Sequence, residues 1–137
     1  MSSLVDHFRP NVHDAPITAA AYDAQSGVIV TADAVGLVAV QRPQEATPQL
    51  VFQPGGAIDG AVAISRGGHL IAVGDQDGTI GVYETRSGEP TFQEKREGQR
   101  GRVRAMLGVS ISPEGSTLAS IAQDGLLRVW TLPHQVV

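Results

Sequence analysis

A chain of 137 residues that is 42% hydrophobic and 18% charged, with 16 glycines and 8 prolines, suits one folded, turn-rich domain of many short strands better than a disordered chain. With no cysteine it has no disulfide framework, thiolate metal site or cysteine nucleophile, and it suits a reducing compartment. A net charge of -4 argues against nucleic acid as a partner, and neither a basic start with an apolar stretch nor a membrane-spanning apolar run is present, so a soluble cytoplasmic chain is expected.

In chain order, Leu4-Val5-Asp6-His7-Phe8 is a short strand-forming stretch ahead of the first of three repeating units. Ile17 to Tyr22 reads as a strand ending in the turn Asp23 to Gly27, and Val28 to Val40 follows as two strand runs about Gly36. Gln49 to Phe52, preceded by Pro48, supplies an outer strand, where proline is tolerated at the edge. The pattern then returns: Ala61 to Ser65 before the turn at Arg66-Gly67-Gly68, Leu70 to Tyr83 about Asp77-Gly78, and Thr91-Phe92-Gln93 after Pro90. It returns once more as Val103 to Ser112 before Pro113-Glu114-Gly115, then Leu118 to Trp130 about Asp124-Gly125. Aspartate-glycine pairs tolerate the positive φ of tight hairpins, so each unit reads as a four-stranded antiparallel sheet. The turn glycines Gly36, Gly78 and Gly125 are offset by 42 and 47 residues, the period of a propeller blade. Met106-Leu107-Gly108 reads as an insertion, so a bulge is expected in the first strand of the third unit.

These residues resemble the WD-repeat family. The third unit carries the fullest set, with Ser112-Pro113-Glu114-Gly115, Leu118-Ala119-Ser120, Asp124-Gly125 and Val129-Trp130, and Gly98-Gln99 where the family has glycine-histidine. The second keeps Asp77-Gly78-Thr79 with Tyr83 at the tryptophan position; the first keeps His13 but has Val35 and Gln41 where the family has aspartate and tryptophan. The resemblance implies an all-β fold of three four-stranded propeller blades: 13–54, 55–97 and 98–137, with residues 1–12 as a strand that closes a ring. It gives His13, Asp77, Ser120, Asp124 and Trp130 structural roles, although no unit holds the complete histidine, serine or threonine, aspartate and tryptophan set.

Propellers have four to eight blades, so three need completion, by further copies or by another chain. Little sequence follows Trp130, and the spare segment with Leu4, Val5 and Phe8 is the candidate for self-association. A two-fold dimer gives six blades and a trimer nine; the dimer is favoured. The alternative is a fragment of a longer propeller, or a subunit completed by a different chain.

Catalytic and cofactor motifs fail one by one. Asp75-Gln76-Asp77-Gly78-Thr79 partly resembles a calcium loop, but Arg86 stands where its twelfth-position glutamate belongs. His7, His13, His69 and His134 lack metal-ligand spacing, Gly108 to Ser112 does not form a nucleophile elbow, and Gly55 to Gly60 lacks the phosphate-loop lysine. No cofactor and no enzyme activity are expected; a small-ligand site in the central channel is a minor alternative. Five of the ten basic residues fall between Lys95 and Arg104. Arg100, Arg102 and Arg104 there, with Asp33, Asp59, Asp75 and Gln76 from other turns, form the expected protein-binding face of a non-catalytic interaction scaffold.

Overall fold

The computed structural model describes residues 13–42, 45, 47–58, 60–95 and 105–132. Among these residues, alternating apolar positions between glycine turns give eleven strands in three separate antiparallel sheets. The first sheet holds β1 (Ile17–Tyr22), β2 (Ile29–Asp33), β3 (Val38–Gln41) and β4 (Leu50–Phe52), in that order. The second holds β5 (Val62–Ile64), β6 (Leu70–Gly74), β7 (Thr79–Glu84) and β8 (Pro90–Lys95). The third holds β9 (Met106–Ile111), β10 (Thr117–Ala122) and β11 (Leu127–Thr131). Among the described residues the third sheet has three strands and ends at β11; the segment expected to supply an outer strand, Leu4 to Phe8, lies outside them. A three-residue 3-10 turn, Arg66–Gly68, links β5 to β6, and among the described residues no helix is long and apolar enough to cross a membrane.

Each strand pairs with its neighbour in sequence, so every sheet is a meander and the repeat is legible in its register. Ala32 opposes Val38, Gly74 opposes Ile80 and Ile121 opposes Leu127; one step along, Val30 opposes Val40, Ala72 opposes Val82 and Ala119 opposes Val129. The expected bulge is present. Ile121 opposes Gly108 but Ala122 opposes Met106, which leaves Leu107 unpaired and exposed.

Two cores lie between the sheets rather than within them. Val30, Ala32, Val38 and Val40 of the first sheet pack against Val62, Ile71, Val73 and Tyr83 of the second. The second sheet's other face, with Ala72, Ile80 and Val82, packs against Met106, Ile111 and Leu118 of the third. Strand alternation sends odd and even residues to opposite faces, so the middle sheet is apolar on both. Backbone bonds stitch the sheets at their ends, from Met106 N–H to the Asp75 carbonyl (2.9 Å) and from Arg66 N–H to the Pro113 carbonyl (3.0 Å).

Candidate interaction faces

The turns between second and third strands gather at one end of the three sheets, and in two of them a buried carboxylate organises the turn. Asp33 Oδ1 accepts the N–H groups of Val35 and Leu37, both at 3.0 Å, and Asp75 Oδ1 accepts those of Asp77 and Thr79, both at 2.9 Å. Their other oxygens bind the segment leading into the same sheet. Asp33 Oδ2 bonds His13 Nδ1 at 2.8 Å, and Asp75 Oδ2 accepts the Gly56 N–H at 3.0 Å. A glycine backbone thus does in the second sheet what a histidine side chain does in the first. His13 continues to the Thr31 hydroxyl through Nε2 at 2.7 Å, an arrangement that one neutral tautomer satisfies. Burial alone would push the Asp33 carboxyl up; the hydrogen bond with His13 and the Leu37 and Val35 N–H groups outweigh it and hold it below the usual carboxylate range.

This arrangement corrects two expectations. Asp33 and Asp75, read as partner-binding residues, are 1% and 3% exposed, and their oxygens are occupied by turn and lead-in donors. The first sheet was expected to lack its acidic group because Val35 fills the family position, yet Asp33, two residues earlier, takes the role, and Val35 lies exposed at the tip. The missed signal was the Asp33/Asp75 correspondence itself, two residues ahead of the Asp77-Gly78 pair. Asp77 is exposed, and its N–H caps Asp75. Gln76 is half-buried and gives its N–H to the Ala57 carbonyl. In the third sheet the corresponding position is Ala122, whose N–H meets the Leu126 carbonyl, and exposed Asp124 accepts the Leu126 N–H at 3.1 Å. Ser120 is buried. Arg100, Arg102, Arg104, Asp59, Leu4, Val5 and Phe8 lie outside the described residues.

Gly36, at φ +98°, locks the first turn onto the next sheet: a Cβ there would run into the Gly56 carbonyl oxygen. Beside this contact, Gly55, Ile58, Val73, Asp75, Thr79 and Tyr83 enclose about 10 Å3, room for a single water. Burial pushes the Tyr83 hydroxyl above its ordinary range, opposed by the hydrogen bond from Gln93 Nε2 at 3.2 Å. Among the described residues no group of histidine, aspartate or glutamate side chains gathers to hold a metal ion.

Both junctions between sheets are sealed by the same aromatic device. Tyr83 on β7 packs on Phe52 of the preceding outer strand, with ring centres 5.3 Å apart at 59°. Trp130 on β11 packs on Phe92 of β8 at 5.7 Å and 54°, and its Nε1 donates to Glu94 Oε2 at 3.1 Å.

Antiparallel meanders packed face to face in sequence order are propeller blades, and the three sheets of this chain have the β-propeller fold. The family described as "WD domain, G-beta repeat" matches residues 93–131, which take in the end of β8 and strands β9 to β11. The solved structure of Kluyveromyces lactis Hsv2p is similar over 85% of this chain, with a TM-score of 0.68 and 21% sequence identity. The match covers 37% of that chain, so the present chain spans little more than a third of its neighbour's length; at this identity the likeness is one of fold. No curated protein matches.

Proposed function

We propose that this chain is a non-catalytic protein-interaction scaffold that completes its ring by self-association, two copies giving six blades. WD-repeat propellers generally mediate protein interactions. One observation carries the self-association: the third blade leaves open the face that the first two blades cover. Val30, Ala32, Val38 and Val40 of blade 1, and Ala72, Ile80 and Val82 of blade 2, are fully buried against the following blade. Their register equivalents in blade 3, Ile121, Leu127 and Val129, are 47%, 67% and 65% exposed, around an open groove of about 300 Å3. Contiguous exposed aliphatic surface of this kind marks an interface.

In this reading the segment with Leu4, Val5 and Phe8 adds an outer strand to β11, and residues 1–12, 13–54, 55–97 and 98–137 are the functional divisions. Arg100, Arg102 and Arg104, with Asp59 and Gln76, form the face offered to other proteins in the cytoplasm. Light scattering tests the assembly. The wild-type chain is expected at twice 14.3 kDa and Leu127→Asp at 14.3 kDa; a wild-type monomer at every concentration overturns self-association. A second reading, in which a different chain or further blades complete the ring, is favoured by the neighbour's greater length; it predicts that well-folded monomer.

A further inference from the structure

In the first two blades the third strand has a neighbour on each side: β3 lies between β2 and β4, and β7 between β6 and β8. Near its middle each carries a small buried residue, Ala39 opposite Val51 and Gly81 opposite Gln93. A Cβ at Gly81 would run into the Tyr83 hydroxyl, so the position is confined. In blade 3 the same register position holds Arg128, opposite Ser120 as Ala39 is opposite Thr31 and Gly81 opposite Val73.

Arg128 is half-buried on the same face as Trp130, and its Nε is buried without a hydrogen-bond partner. A guanidinium keeps its charge at any physiological pH, so it cannot relieve this by losing a proton. Among the described residues the ion pairs are His13 with Asp33 and Arg42 with Glu45, and neither involves Arg128. Glu94, the acid at this junction, is engaged through Oε2 with Trp130 Nε1 at 3.1 Å.

Backbone geometry shows where a counter-charge can enter. The Leu126 carbonyl accepts the Ala122 N–H and the Leu132 N–H donates to the Ser116 carbonyl, so by alternation Arg128 and Trp130 turn their backbone groups toward β10. The backbone groups of Leu127, Val129 and Thr131 therefore point to the outer edge, which no described strand covers. A strand added there opposes Arg128 in a non-hydrogen-bonded pair, the arrangement that brings side chains closest, with Cα atoms about 4.5 Å apart. The residue in that place lies on the face of Arg128 and Trp130, while its two neighbours lie on the face of exposed Leu127 and Val129. The edge thus selects an acidic residue within a strand-forming stretch. Residues 1–12, which lie outside the described residues, contain one acidic residue, Asp6, within Leu4-Val5-Asp6-His7-Phe8.

We propose that Asp6 is the partner of Arg128, and that this pair fixes the register in which residues 4–8 add an antiparallel outer strand to β11. The proposal rests on the reading of this segment as that outer strand and supplies its register and the side chain that selects it. In this register Leu4 falls opposite Trp130 and Val5 opposite Val129, apolar against apolar on both faces. A slip by one residue turns Asp6 onto the Leu127 and Val129 face and leaves Arg128 against Val5 or His7.

Melting of the full chain, followed by circular dichroism, tests the pair by charge exchange. Asp6→Arg and Arg128→Asp each set like charges opposite one another, and each alone is expected to lower the thermal midpoint by about 3–5 °C. The two together are expected to recover about half of that loss or more. The neutral variants Asp6→Asn and Arg128→Gln, which disturb folding less, are expected to lose less together than the sum of their separate losses. An exchanged variant that melts no higher than the lower of its two parents, or neutral variants whose losses add, overturns the pairing. Coupling of Arg128→Gln to Glu94→Gln in place of Asp6→Asn overturns it as well. Deletion of residues 2–8 separates the two levels. A deletion that leaves the midpoint unchanged removes the outer-strand reading and this pair together, whereas one that lowers it while the exchange fails removes the pair alone.

Discussion

Asp33 is a 1%-exposed carboxylate satisfied by His13 and by the Val35 and Leu37 N–H groups, so its loss strands several donors at once. Asp33→Ala is expected to lower stability by about 2–4 kcal/mol in urea unfolding at neutral pH. The pH dependence has a definite sign. Because the folded-state carboxyl titrates below its unfolded value, its contribution is fully present above an unfolded pKa of about 3.9 and is lost as pH falls through the lower folded value. Asp33→Asn is therefore expected to flatten part of the acid limb of stability against pH. An unchanged limb would mean that the His13 pairing does not persist in solution. Single residues were the level at which sequence reading failed. Family position selected Asp77 and excluded blade 1, whereas the turns are held by Asp33 and Asp75, because Oδ1 can reach the N–H groups two and four residues ahead. A pattern fixed on one column does not register a carboxylate shifted by two.

At the scale of elements, strand order and turns were readable because alternation and positive-φ glycines act within a few residues. Even the irregular first strand of blade 3 could be anticipated, since Met106-Leu107-Gly108 is one residue too long for its partner, and Leu107 is the residue expelled. Leu107→Asp is expected to change stability by no more than about 0.5 kcal/mol. Deleting Leu107 instead makes Met106 the direct neighbour of Gly108, still opposite Ala122 on the junction-core face, so regular pairing is restored and the third blade is expected to keep its fold. A deletion variant that loses its cooperative unfolding transition would contradict the bulge. The junction aromatics were not legible, because they join residues from different blades. A double-mutant cycle on Phe92→Leu and Trp130→Leu should return a coupling of about 0.5–1.5 kcal/mol, and near-additive unfolding energies would contradict the packing seen at 5.7 Å.

The whole molecule is a row of blades in which each supplies half of the next core. Three repeats in the sequence therefore imply two internal cores and two end faces. The identity of the surface that meets those ends was not readable from the chain, since nothing local distinguishes Leu127 and Val129 from their buried counterparts Val38 and Val40. The difference is that no described blade packs on the blade 3 face. If a second copy supplies the missing faces, folding and association are linked, and stability depends on concentration by mass action. Each tenfold dilution then removes up to about 1.4 kcal/mol, which for a chain of this size lowers the melting temperature by roughly 3–5 °C. Scanning calorimetry from micromolar to hundred-micromolar protein is expected to show this slope for the wild type and none for Leu127→Asp, whose blade 3 face can no longer be covered. A wild-type melting temperature independent of concentration would place the chain's full stability in its two internal cores and leave the open face of blade 3 for a partner other than itself.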